Sequence, residues 1–419
     1  MLIGLGSPPG SHSPRQSTIR MHASVRGTAV RLIAATLVVG SVVSCAWPGQ
    51  HAPRRVGVST GSSRVNSRPA VQSTPRSAGH DVRLPPEFLS FEAQFDSLWA
   101  RFDEEYPSFA YKGVNWTAQR ALFRDRALRA RSQAEFIAVT CEMLEPLRDL
   151  HIWFVDPQGQ VVPTYRPSNV ANFDRARWTR ALADANYVER VDGLGEANVA
   201  GFGYLFVGSW NAPVDMNSLD QILQRVRETP GLIIDVRTNG GGSDATALAF
   251  AQRFTTRRFA ASYVQRRTGP RHEDLDAPRA RAVGPRGTWQ YLRPVVVITG
   301  RAGFSATESF VAALRTLPNV TVIGDTTGGA SGSPITLPLG NGWSYTVPQW
   351  IEYGPDRQPI EWRGVAPHIA IPWEPSLYER ARDPLIDAAV GLLAERNGLF
   401  RMAPSGEENG HLPPRAPPR

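Results

Sequence analysis

The chain has 419 residues, a net charge of +8 and two cysteines, Cys45 and Cys141. The excess charge lies in residues 1–84, where ten arginines face one acid, Asp81, so the remaining chain is near neutral at −1. A nucleic-acid surface on the globular part therefore has no electrostatic support. The cysteines suggest no disulfide framework and no cluster has zinc-ligand spacing, so neither a metal nor a cofactor is expected.

Residues 1–45 read as a leader. Met21 to Arg26, with Arg31, is positively charged, and Leu32 to Val43 is an apolar stretch too short to span a bilayer easily. This is the pattern of a secretory signal, with Met21 a candidate start. Its end, Val42-Val43-Ser44-Cys45, resembles a bacterial lipobox. That resemblance implies lipidation of Cys45 and a membrane-anchored protein of the bacterial cell envelope, in the periplasm or on the outer membrane. Residues 46–84, rich in Ser, Pro, Arg and Gly, are expected to form a disordered linker.

Residues 85–155 are expected to form an N-terminal helical cap leading into the core. Phe88, Phe91, Phe95, Leu98, Trp99 and Phe102 recur at helical spacing up to Pro107. A second helix follows Trp116, and Ser132-Gln-Ala-Glu135 opens a third as a capping box. Residues 156–400 read as an α/β core and 401–419 as a disordered tail. Pro157 to Val199 is poorly patterned. Strands are predicted at Gly203–Val207, Leu232–Val236, Val295–Ile298, Val320–Ile323, Trp343–Val347 and His368–Ile371. Ser218-Leu-Asp-Gln221 is expected to cap the helix joining the first two of these, a parallel crossover unit. Residues 255–290, rich in Arg, Gly and Pro, read as a surface excursion, and Asp383-Pro384 begins a last helix.

Three places carry candidate chemistry. Ser305 stands where the strand from Val295 breaks at Gly300 and Gly303 and a helix begins. With Glu308 it reads as a capping box, or as an acyl-transfer nucleophile beside unpaired amides and the positive end of a helix. Arg237-Thr-Asn-Gly-Gly-Gly242 is either plain turn chemistry or a side-chain-free backbone that approaches a substrate. His151 is either a packed histidine or a general base.

Taken together, Leu-Arg-Asp-Leu-His151, Gly231-Leu-Ile-Ile-Asp-Val-Arg-Thr-Asn-Gly-Gly-Gly242, Phe304-Ser-Ala-Thr-Glu308, Ile323-Gly-Asp-Thr-Thr-Gly-Gly329 and Glu361-Trp-Arg-Gly-Val-Ala-Pro367 resemble, in order and spacing, the C-terminal processing peptidases or tail-specific proteases. The likeness is greatest to their tricorn-core and interphotoreceptor-retinoid-binding-protein-like branch. It implies a Clp-protease/crotonase-like α/β core with an N-terminal helical cap and a serine peptidase acting on proteins or peptides. Ser305 would be the nucleophile, His151 the base and Glu361 the acid orienting it; the amide of Ala306 and one from Gly240-Gly241 would form the oxyanion hole. Lys112, the chain's sole lysine, lies in the cap, so a serine–lysine dyad requires Lys112 to fold into the site.

The chain departs from the family in three respects. Leu150 stands where tricorn-type relatives have a serine beside the histidine, so the relay is direct, uses Asp149 or is broken. His368 replaces an acidic residue, and no PDZ-like module is legible between His151 and Gly203. Two rival readings remain. One is a catalytically inactive, lipid-tethered binding protein on the same fold. The other is an α/β-hydrolase esterase using Ser305, Asp325 or Asp356, and His368 in that order.

Overall fold

A computed structural model describes residues 89–168, 171–371, 373–374 and 382–402; the leader with Cys45, the linker and residues 403–419 lie outside the described residues. The first layer is the cap. Helix α1 (Phe91–Glu105) starts at Ser90, whose side chain accepts from the Ala93 amide, and it buries Phe95, Leu98 and Phe102. A short turn of helix, α2 (Phe109–Lys112), is followed by α3 (Trp116–Leu128) and α4 (Gln133–Leu144). Ser132 caps α4 as expected, but the Glu135 carboxylate reaches back to the Arg131 amide, not to that of Ser132.

The apolar faces of these helices pack with Phe154, Leu339, Tyr345 and Val347 in one aromatic-rich cluster. Those residues belong to a four-stranded antiparallel sheet formed by β1 (Trp153–Val155) and β2 (Val161–Pro163) with two later strands. Packing of this kind contributes roughly 1.5–3 kcal/mol for each large side chain withdrawn from water.

The central layer is a seven-stranded sheet. The poorly patterned stretch after β2 supplies α5 (Arg175–Leu182), β3 (Val188–Val191) and β4 (Leu194–Val199); β4 pairs antiparallel with both β3 and β5 (Phe202–Val207). Among the described residues this segment builds a sheet edge and no separate module. Helix α6 (Met216–Arg225) then crosses to β6 (Leu232–Asp235), which pairs parallel with β5, the predicted crossover. Its cap is Asp215, not Ser218, which lies three residues inside and completes the box by accepting from the Asp215 amide.

Helix α7 (Asp244–Ala251) follows the glycine run. Within the arginine-rich stretch expected as a surface excursion, β7 (Phe259–Gln265) and β8 (Arg279–Val283) form a hairpin that buries Ala261, Ser262 and Val283. Their signal is weak because small and polar residues occupy inward positions. Strand β9 (Val295–Thr299), helix α8 (Ala306–Arg315) and β10 (Val320–Gly324) continue the central sheet. Strands β11 (Ile335–Gly340) and β12 (Trp343–Val347) complete the cap-side sheet. Strand β13 (Ile351–Tyr353) joins the β7–β8 hairpin, β14 (Ile369–Ala370) pairs with β10, and α9 (Pro384–Met402) ends the fold.

The order of the central sheet is β14-β10-β9-β6-β5-β4-β3, parallel from β14 to β5. One face packs against α6, α7 and α8, the other against α5 and α9. Burial on both faces explains why β6, β9 and β10 read as continuous apolar runs. Ligand sites in such sheets lie beyond the carboxyl ends of the strands, and the glycine run after β6 and Ser305 after β9 both lie there.

Candidate active site

The end of β6 is fixed by buried charge. The Arg237 guanidinium bonds Asp235 at 2.8 Å and Asp383 at 2.9 Å, and all three side chains are wholly buried. Tyr204 donates to Asp235 (2.8 Å), and Asp383 accepts from the first amides of α9. The glycine run therefore leaves a rigid platform. Asn239 tightens it further: its Oδ1 accepts from the Gly241 amide (2.9 Å) and its Nδ2 donates to the Val207 carbonyl (3.0 Å).

Ser305 sits on a strained turn. Its backbone has φ 60° and ψ −130°, in a region that side-chain-bearing residues rarely occupy, at a typical cost of about 1–3 kcal/mol. Gly241, at φ +102°, lies against it so closely that an added Cβ would stand 2.6 Å from Ser305 Cβ and 3.1 Å from Oγ. Among the described residues the Gly240 and Ala306 amides take no acceptor, whereas that of Gly241 is engaged by Asn239. Ala306 is the first residue of α8, where an amide has no intrahelical partner.

Glu308 holds this turn to the next loop. Its buried carboxylate accepts from the amides of Ser305 (3.3 Å), Gly329 (2.8 Å) and Ala330 (2.8 Å) and from the Thr327 hydroxyl. Burial pushes the carboxyl up to about 8 against the pull of these donors. The Ser305 amide also donates to the Ala330 carbonyl (2.9 Å), and that of Trp362 to Gly329 (2.7 Å). The glutamate thus caps the helix and sets the serine's main chain.

His151 enters from the cap side, just before β1. It is 2% exposed, and its ring stands edge-on to Phe304 at 6.0 Å, one residue from Ser305. Burial lowers its pKa, opposed by the carboxylates of Asp149 and Asp244. Asp149 Oδ1 accepts from the His151 main-chain amide (2.9 Å) and so orients the backbone, not the ring.

The Glu361 carboxylate makes its bonds to groups other than His151. Its Oε1 accepts from Lys112 Nζ (2.7 Å) and its Oε2 from the Ser331 amide (3.0 Å); among the described residues His151 Nδ1 has no hydrogen-bond partner. A direct carboxylate–imidazole bond is therefore replaced by a lysine-centred cluster. Lys112 does fold in, yet with Asp149 (2.9 Å) and Glu361 around it its pKa is raised, which makes it a cation and not a base. Burial raises Glu361 to about 7, helped by the Asp149 charge and opposed by Lys112.

The sequence reading did not place Asn239, Tyr106 or Lys112 in the site. For Lys112 the usable signal was its uniqueness. Tyr106, whose hydroxyl donates to Asp149 (2.7 Å), carried none. The esterase order is not assembled: His368 Nδ1 accepts from the Val322 amide (3.0 Å) along β10, and Asp325 bonds Arg301 and the Thr326 amide. Among the described residues no group of acidic, histidine or cysteine side chains could hold a metal ion.

The model of peptidase family S41 matches residues 201–371, and that of the tricorn protease C1 domain matches 89–145. A solved structure of a candidate peptidase from Parabacteroides merdae is 32% identical, with a TM-score of 0.66, over 73% of this chain and 97% of that one. The chain belongs to peptidase family S41. The S41 match covers the glycine run, Ser305 and Glu361, and the fold is the Clp-protease/crotonase-like core with its helical cap.

Two curated relatives are also similar. The carboxy-terminal processing protease CtpB of Bacillus subtilis is 29% identical over 35% of this chain and 28% of its own length. Tricorn protease homolog 1 of Streptomyces coelicolor is 29% identical over 45% of this chain and 16% of its own length. The matches thus span less than a third of either relative.

Proposed function

We propose that the chain is a serine peptidase of the carboxy-terminal processing type, cleaving peptide bonds in proteins or peptides of the cell envelope. The observation that carries this reading is Ser305 on a strained turn at the head of α8, with the Gly241 main chain pressed against its side chain. Strain of this kind persists where the surroundings over-determine it, as at a nucleophile. In the mechanism, Ser305 Oγ attacks the scissile carbonyl while His151 takes its proton. The tetrahedral oxyanion meets the amides of Gly240 and Ala306, aided by the positive end of α8. His151 then returns the proton to the leaving amine, and water releases the acyl group by the same steps in reverse. The burial that lowers the pKa of His151 supports its role, since it keeps the imidazole neutral and able to accept.

One observation favours a second reading, a catalytically inactive binding protein on this fold: Glu361 is bonded to Lys112 and not to His151. Casein cleavage and labelling by a serine-reactive fluorophosphonate separate the two. We expect the wild type to cleave and label, and Ser305→Ala and His151→Ala each to lose at least about 1,000-fold in kcat. A wild type silent in both assays supports the binding protein. The lipobox-like end of the leader supports anchoring in the envelope through Cys45; Cys45→Ala should then move the protein from the membrane to the soluble fraction, and unchanged fractionation would reject the anchor.

A further inference from the structure

Lys112 is the chain's only lysine. It ends α2 in the cap, yet its side chain is fully buried 2.7 Å from Glu361 and 2.9 Å from Asp149. The ammonium lies 5.2 Å from the ring centre of Trp362 and 5.6 Å from that of Tyr106. Each carboxylate has a second bond that leads to one half of the site. Asp149 holds the His151 amide (2.9 Å), and Glu361 holds the Ser331 amide (3.0 Å), next to Ala330, whose carbonyl receives the Ser305 amide. One cap cation thus stands between the base and the loop behind the nucleophile.

We propose that Lys112 is a positioning residue of the hydrolytic site: its ammonium joins the Asp149 and Glu361 carboxyl groups, sets the His151 main chain through the first and the loop at 327–331 through the second, and makes cap docking a condition of catalysis. This rests on the peptidase reading above. Two neighbouring buried carboxyl groups can both ionise only where a cation offsets their repulsion; without it one of them retains a proton.

The groups facing the cluster come from every neighbouring element. Tyr106 and Tyr111 belong to the cap, Asp149 and His151 to the segment before β1, Asp244 to α7 and Glu308 to α8. The Lys112 charge lowers the pKa of both Glu361 and His151. Removing it raises both, so the acid limb of the pH profile moves to higher pH.

The sole lysine permits a direct test on the full-length chain. With lysine labelled by nitrogen-15 at Nζ, one side-chain resonance should stay protonated from about pH 5 to 9. It should also report a titration centred at about 7, lost in Glu361→Gln. In parallel, Lys112→Met should lower kcat at least about 100-fold with KM changed less than about threefold, move the acid limb upward, and be partly rescued by Lys112→Arg.

A folded Lys112→Met with wild-type kcat and pH profile overturns the inference. So does an Nζ resonance indifferent to Glu361→Gln, and this second measurement decides the matter if Lys112→Met does not fold. A wild type that shows the Nζ titration but neither cleaves casein nor takes the probe overturns the peptidase reading itself and leaves the cluster a structural tie.

Discussion

The surroundings of Ser305 are held by main chain, whereas those of His151 are held by buried charged side chains. On the first side, Gly241, Ala330 and the head of α8 fix the serine through amides, carbonyls and one capping glutamate. On the second, Lys112, Asp149, Glu361 and Tyr106 form a cluster in which each member depends on the charge of another. Main-chain scaffolding has few degrees of freedom and tolerates almost no added volume. A charge cluster is adjustable through protonation but fails when one partner is lost, because an unpaired buried ion costs several kcal/mol. The serine half should therefore respond to volume and backbone changes, and the histidine half to charge and pH.

The largest test of this contrast outside the reacting residues is Gly241→Ala. The new Cβ would stand 2.6 Å from Ser305 Cβ and 3.0 Å from the Phe304 carbonyl, at a φ of +102° that alanine disfavours. Neither neighbour can yield: Phe304 donates to Asn239, and Ser305 is tied to Ala330 and Glu308. We expect a loss of about 3 kcal/mol in stability from overpacking and strain together. A shift of the serine should also lower kcat by at least about 100-fold with the pH profile unmoved. A variant with wild-type kcat in hydrolysis assays would show that the serine half is not rigid, and the contrast would fail.

The same division governs what the sequence disclosed. Ser305, Glu308 and the glycine run were legible because helix caps and left-handed turns demand particular residues at fixed offsets. Strands β6, β9 and β10 were legible because burial on both faces leaves uninterrupted apolar runs. The Lys112–Asp149–Glu361 cluster was not: its members are separated by 37 and 249 residues from the lysine, and no local periodicity records a contact made across the fold. The resemblance to the peptidases indicated His151 and Glu361 but left their connection open, and the chain has a lysine between Glu361 and Asp149. The β7–β8 hairpin was missed for a different reason, its inward Ala261 and Ser262 giving no apolar alternation to read.

A smaller effect probes the strain itself. Ser305→Ala and Ser305→Gly both remove the hydroxyl, so both should be inert, but only glycine relaxes a backbone at φ 60° and ψ −130°. The Glu308 carboxylate bonds the main-chain amide of residue 305 and is retained in either variant. Relief of about 1–3 kcal/mol of strain is offset by roughly 0.5–1 kcal/mol of extra chain entropy in the unfolded glycine variant. Ser305→Gly should then exceed Ser305→Ala by about 1 kcal/mol in urea unfolding at equal m-values. If the two serine variants unfold at the same urea concentration, the turn stores no strain, and residue 305 is held by its hydrogen bonds alone.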